Sequence, residues 1–276
     1  MSGPADLDAS PLGHATTYAE RYDPGLLFAV ERAPQRAALG FGATLPFRGV
    51  DRWTAYELSW LASAGKPQIA IATFAVPAAS PRLVESKSVK LYLTAMNMSR
   101  FESDGDVAAT LARDLSSATG GTVRVMLTMP GDFAALPHGE PAGECLDGLP
   151  IAFDRYAVDP DALSADGATV DESLFTRLFR SVCPVTGQPD YASVELAYRG
   201  ARIERDGLLR YLVSFRSHPG FHEHCVERIF ADLWRRCRPE RLSVHARFTR
   251  RGGIDINPWR TSGDEPPLPA TRTARQ

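Results

Sequence analysis

The chain has 276 residues, of which 44% are hydrophobic and 23% charged, the balance of one large soluble domain or two ordinary ones. A net charge of -2 gives no electrostatic reason to expect a nucleic-acid or membrane partner. No apolar run approaches the roughly 18 residues of a membrane-crossing helix.

Met1 to Asp8 lacks the basic and apolar regions of a signal peptide. The four cysteines, Cys145, Cys183, Cys225 and Cys237, are too few and too irregularly spaced for a disulfide framework. A cytoplasmic protein with reduced thiols is expected. In chain order, residues 1–50 are rich in Pro, Gly and Ala and read as a mostly irregular leader. Residues 51–64 carry Trp53, Tyr56, Leu58, Trp60 and Leu61 and predict a strand that ends in the turn Gly65-Lys66-Pro67. Residues 68–76 have the β-branched content of a strand, and 89–95 are apolar and partly helical. Val107, Leu111 and Leu115 recur at helical spacing, with Asp104 or Asp106 as a cap and Gly120-Gly121 as the stop. Residues 122–129 alternate like a strand, and a link rich in Pro, Gly and Asp follows at 136–165. Beyond it come a turn around Cys183, a strand at 192–198 and a helical stripe over 206–215. The strongest amphipathic helix spans 221–237, with Val226, Ile229, Phe230, Leu233 and Trp234 on one face. A strand at 242–248 leads through Arg250-Arg251-Gly252-Gly253 into 254–259, and 263–276 reads as a polar tail.

The two halves share an order of parts. Gly65-Lys66-Pro67 answers Gly187-Gln188-Pro189, Lys90-Leu91-Tyr92-Leu93 answers Leu209-Arg210-Tyr211-Leu212, and Val123-Arg124-Val125 answers Leu242-Ser243-Val244. The offset stays at about 120 residues, so an α+β fold is expected, built from a duplicated strand–strand–helix–helix–strand unit. The modules are placed at 51–135 and 166–262. The polar residues differ between the copies: the group Glu85, Ser86 and Lys87 finds no acidic-basic counterpart near Asp206, and Cys183, Asp190, His222 and Glu223 find none in the first copy. Such a split suggests a site assembled between modules.

Pro184, Gly187 and Pro189 break any helix or central strand, which puts Cys183 on a loop or strand end near Asp190. A thiol so placed is either a nucleophile, with Asp190 as its acid–base partner, or a small buried hydrophobe beside a turn-capping acid. His222 begins the strongest helix, where the helix dipole disfavours its protonation, and is either a proton shuttle or a surface histidine. Glu223 is either an acceptor for a planar N–H edge or a first-turn acid, and Glu85 a second such acceptor or a solvated acid. Lys87, Arg250 and Arg251 with Gly252-Gly253 suit a phosphate or an exposed turn. A nicotinamide cofactor would not be held by a Rossmann motif, for none is present. A zinc set of Cys183, His222 and Cys225 matches no standard spacing.

Taken together, these stretches resemble one family, the NADPH-dependent 7-cyano-7-deazaguanine reductases. The resemblance is carried by Glu85-Ser86-Lys87-Ser88-Val89-Lys90-Leu91-Tyr92-Leu93, by residues 53–61 and 181–190, by Phe221-His222-Glu223-His224-Cys225, and by residues 249–260. It implies two tunnelling-fold (T-fold) modules in tandem, each an antiparallel sheet with two helices packed on one face. It implies reduction of a nitrile by two NADPH through a covalent thioimide on Cys183, in the queuosine biosynthesis of tRNA. Asp190 then matches the acid–base partner and His222 the residue assisting protonation. Val84, Glu85, Ser86, His222 and Glu223 match substrate contacts, and Ser86, Lys87, Arg251 and Gly252 the NADPH contacts. It also implies no metal, a homodimer, a small 7-deazapurine substrate, and neither nucleic acid nor membrane as a direct partner. Two competing expectations are a zinc-dependent cyclohydrolase of the same fold and a purine-binding module without chemistry.

Overall fold

The computed structural model describes residues 21–42, 44–265 and 271–276. The expectations placed on residues 1–20, on residue 43 and on 266–270 lie outside the described residues. The chain divides into two compact units. Unit 1 takes in the described residues of Met1–Ala38, with Asp51–Leu136 and Arg250–Ile256; unit 2 takes in Leu39–Val50, Pro137–Thr249 and Asn257–Gln276.

The elements in order are β1 (Ala29–Glu31), α1 (Ala33–Ala38), β2 (Arg48–Ala62), β3 (Pro67–Pro77), β4 (Arg82–Val84), α2 (Ser86–Ala95), β5 (Arg100–Phe101), α3 (Asp104–Thr119), β6 (Arg124–Thr128) and β7 (Glu144–Cys145). There follow β8 (Ala165–Val182), β9 (Pro189–Ile203), α4 (Arg205–Ser214), α5 (His222–Cys237), β10 (Arg241–Phe248) and β11 (Ile254–Thr261). No helix among the described residues is long and apolar enough to cross a membrane.

In unit 1 the strands run in the order β6, β3, β2 and the first residues of β11. Alternation puts Ala70, Ala72, Phe74 and Val76 of β3 on one face, where they share a core with Trp53, Ala55, Leu58 and Trp60 of β2. Val89, Tyr92 and Leu93 of α2 and Val107, Leu111 and Leu115 of α3 close that core from the same side. Ser103, rather than Asp104 or Asp106, caps α3 by accepting from the Asp106 N–H. Gly120 ends it in the left-handed region.

In unit 2 the order is β11, β10, β9, β8 and β7. Antiparallel pairing aligns Ala192, Val194, Leu196 and Tyr198 of β9 with Phe248, Ala246, Val244 and Leu242 of β10. Leu208, Leu209 and Leu212 of α4 and Val226, Ile229, Phe230 and Leu233 of α5 are buried. Each unit is therefore α+β, a largely antiparallel sheet carrying two helices, the tunnelling-fold arrangement in tandem.

Further findings differ from the sequence reading. The leader carries β1 and α1, because Ala29 to Glu31 pair with Val84 to Arg82, a long-range match that local periodicity does not reveal. The 136–165 link belongs to unit 2: β7 pairs with β8, and Leu146 and Leu163 are buried. Ile254 and Ile256, placed with the second module, pack in the core of unit 1. The tail is not wholly free, since the Gln276 Nε2 donates to Asn257 Oδ1 at 2.7 Å. The sequence reading also missed the length of β8, whose two register shifts blur its alternation.

Candidate active site

The β8–β9 hairpin carries the cysteine. Ser181 pairs with Asp190 and Val182 with Pro189. The Cys183 N–H donates to Gln188 O at 2.9 Å and extends the ladder by one pair. Gly187, at φ 68°, turns the chain where a side chain would be strained. Directly paired residues and their i±2 neighbours share a face. Ser181, Cys183 and Asp190 thus stand on the face of Ala192 and its partner Phe248. Cys183 is 7% and Asp190 4% exposed, so both sit out of bulk water.

The chain entering α5 is stitched to the strand end that precedes the thiol. Val182 N–H donates to His218 O at 3.0 Å, and Gly220 N–H donates to Val182 O at 3.1 Å. This ties the start of α5 to the cysteine hairpin. His222 Nε2 lies 3.5 Å from Asp190 Oδ2, and its ring lies flat on Phe248 at 3.7 Å between centroids. Glu223, 2% exposed, follows in the first turn. Phe221 makes no side-chain cap bond at the start of α5, whose positive end favours a nearby carboxylate. Burial pushes the Cys225 thiol up to about 12, which leaves it protonated at neutral pH and fit for packing rather than attack. Chemically, the cluster offers a sheltered thiol, a carboxylate to take its proton and an imidazole to move one.

Unit 1 groups the remaining candidates around the start of α2. Val84 closes β4 against Ala29. Glu85 caps α2: its Oε1 accepts from Lys87 N–H at 2.7 Å and its Oε2 from Ser88 N–H at 2.8 Å. Glu85 is fully buried. That burial raises its carboxyl above the ordinary range, although the bonds from Lys87, Ser88 and Ser86 oppose the shift. A carboxylate has about four lone-pair sites, so Glu85 keeps capacity for further N–H donors. Gly252, at φ 59°, would place a Cβ 2.7 Å from Lys90 Nζ, so only glycine admits the ammonium of α2 so close to the backbone. Arg251 precedes it, and the Arg250 guanidinium lies over the Tyr56 ring at 5.2 Å. Ser86, Lys87, Lys90 and Arg251 carry the kinds of donor and cation that a phosphate-bearing co-substrate would need.

The structure therefore places Cys183, Asp190, His222 and Glu223 in unit 2, with His222 beside Asp190, and Val84, Glu85, Ser86, Lys87, Arg251 and Gly252 in unit 1, with Gly252 beside Lys90 of α2. Phe248, Lys90 and the His218–Gly220 stitch escaped the sequence reading. Phe248 read as the last apolar residue of an alternating strand, and Lys90 only as a marker of the repeat. Among the described residues, no three His, Cys, Asp or Glu side chains are arranged to hold a metal ion.

The family described as "Nitrile reductase, 7-cyano-7-deazaguanine-reductase N-term" matches residues 18–127. "QueF-like protein" matches residues 189–267. Fold and matches together define a two-module enzyme of the nitrile oxidoreductase class. The NADPH-dependent 7-cyano-7-deazaguanine reductase of Chromobacterium violaceum is 55% identical over 99% of this chain and 98% of its own. That of Burkholderia thailandensis is 55% identical over 97% and 98%. The chain belongs to the NADPH-dependent 7-cyano-7-deazaguanine reductase family.

Proposed function

We propose that this protein reduces the nitrile of 7-cyano-7-deazaguanine to the aminomethyl group of 7-aminomethyl-7-deazaguanine, consuming two NADPH, as a step of tRNA queuosine biosynthesis. The observation that carries the reading is the pairing that puts Cys183 and Asp190 on one sheet face, with His222 Nε2 3.5 Å from that carboxylate. Asp190 takes the thiol proton, and the Cys183 sulfur bonds to the nitrile carbon as one C–N π bond breaks. The same proton passes to the nitrogen, giving a thioimide. NADPH supplies hydride to that carbon in each of two reductions. In the first, His222 delivers a proton to nitrogen, and the C–S bond then breaks to return the thiol and leave an imine. In the second, a further hydride and proton give the amine. Two hydrides and two protons thus balance the conversion.

Glu85 and Glu223 are assigned the N–H edge of the deazaguanine, with Val84 and Ser86 beside it, and Ser86, Lys87, Arg251 and Gly252 the NADPH contacts. The imine hydrolyses in water, so the site must stay closed between hydrides. Phe221 at the entry to α5 is assigned that closure. The resemblance further supports a cytoplasmic homodimer that needs no metal. The test is intact mass after mixing protein with 7-cyano-7-deazaguanine, without NADPH. An adduct of one substrate mass on wild type and none on Cys183→Ala is expected. No adduct on wild type with a reduced thiol would overturn the reading.

A further inference from the structure

His222 is held by little. Among the described residues its Nε2 has one contact, with Asp190 at 3.5 Å, near the outer limit of a hydrogen bond. Its Nδ1 is buried with no hydrogen-bond partner among those residues. The side-chain torsion that turns an imidazole is broad, so one long contact leaves the ring plane unset. Against it lies the Phe248 ring, 3.7 Å away and within 4° of parallel.

Phe248 is fixed in turn. It is fully buried, meets the Phe179 ring edge-on at 6.0 Å and accepts from Gln276 Nε2 at its carbonyl at 3.3 Å. Its partner across the ladder is Ala192, two residues from Asp190 on the same face. One stretch of strand pairing therefore fixes both groups that His222 touches, in a single frame.

We infer that Phe248 is a positioning residue for proton delivery, an apolar platform that holds the His222 imidazole in the plane from which Nε2 faces Asp190. This rests on the proposed role of His222. Thioimide formation uses Cys183 and Asp190, so loss of the platform spares that step and slows reduction.

The experiment is a double-mutant cycle on Phe248→Leu and His222→Asn. It reads adduct formation without NADPH, and then single-turnover reduction of the preformed adduct. Phe248→Leu is expected to form adduct within about twofold of the wild-type rate and to reduce it about tenfold more slowly, a fraction of the roughly 100-fold or more that a general acid contributes. In the His222→Asn background the same change is expected to cost less than about twofold, because coupled residues are not additive. Phe248→Tyr, which keeps the ring face, restores reduction. Equal losses in both backgrounds, wild-type reduction by Phe248→Leu, or parallel loss of adduct formation would each overturn the inference. Should thermal unfolding show Phe248→Leu unfolded, Phe248→Met, closer in volume, carries the same cycle. Wild-type reduction by His222→Asn alone would remove the role of His222 and this inference with it. Failure of wild type to form adduct would instead sink the proposed function.

Discussion

The two units keep the same link between their helices and differ at the helix starts. In unit 1 the Tyr92 hydroxyl of α2 donates to Asp114 Oδ2 of α3 at 2.7 Å; in unit 2 the Tyr211 hydroxyl of α4 donates to Asp232 Oδ2 of α5 at 2.8 Å. Both pairs sit at the repeat offset. At α2 in unit 1 and α4 in unit 2 an acid occupies the N-cap. Glu85 is buried and accepts two N–H groups, whereas Glu204 is exposed and makes no side-chain cap bond. The acidic group at 85 therefore has a counterpart after all, one that is solvated. At α3 and α5 the positions reverse: α5 opens on His222 and buried Glu223, and α3 on exposed Asp104 and Gly105. Duplication preserved what pins helix to helix and left the helix starts free to specialise, with a glutamate buried at the start of α2 in one unit and at the start of α5 in the other.

The largest test of that specialisation is Cys183→Ala, which should abolish reductase turnover while leaving the melting temperature of the protein close to wild type, as expected of a small change at a hairpin end. Next, Glu85→Gln and Glu223→Gln should each weaken substrate binding about 10- to 100-fold by calorimetry, since bonds to a charged acceptor contribute about 1.5–3 kcal/mol. Glu204→Gln should leave affinity unchanged, and an effect there would erase the distinction between the caps. Tyr211→Phe and Tyr92→Phe should each cost about 1–3 kcal/mol in urea denaturation. The loss at Tyr211 should be the larger, because Asp114 also accepts from Tyr22 at 2.6 Å and from Arg113 at 3.0 Å.

Acidification gives a finer test. Burial raises the Glu85 pKa, so its ionised form is lost above the ordinary value of 4.5. Substrate affinity should begin to fall there as pH drops. In the same window the folded state binds more protons than the unfolded chain, so the substrate-free protein should gain stability as pH falls. Glu85→Gln should flatten both trends. The smallest expected effect is at Phe221, whose replacement by Ala should raise the share of aldehyde by-product; an unchanged product ratio would remove it from the closure.

Much of this was legible beforehand because it is local. The stripe on α5, the β-branched content of β3 and the alternation of β10 fixed their elements, and Pro184, Gly187 and Pro189 placed Cys183 at a strand end. The resemblance supplied roles that the residue types alone left open at Asp190, Glu85 and Glu223. What stayed hidden depends on register between distant segments. The pairing of Ala29 with Val84, the bulged β8, and the meeting of Phe248 with His222 all follow from which strand lies beside which. A phenylalanine that ends an alternating strand looks the same whether it packs on a leucine or on an imidazole.

Unit 1 completes its core with Ile254 and Ile256, residues that emerge from the ribosome only after nearly all of unit 2. Synthesis and folding therefore run in different orders. The first module must wait, with apolar surface uncovered, while the second is made, which is the circumstance in which chaperones are needed. A gene split at the 136–165 link would give an N-terminal fragment lacking a strand of its own core, and adding back a peptide spanning 250–256 is the natural way to complete it.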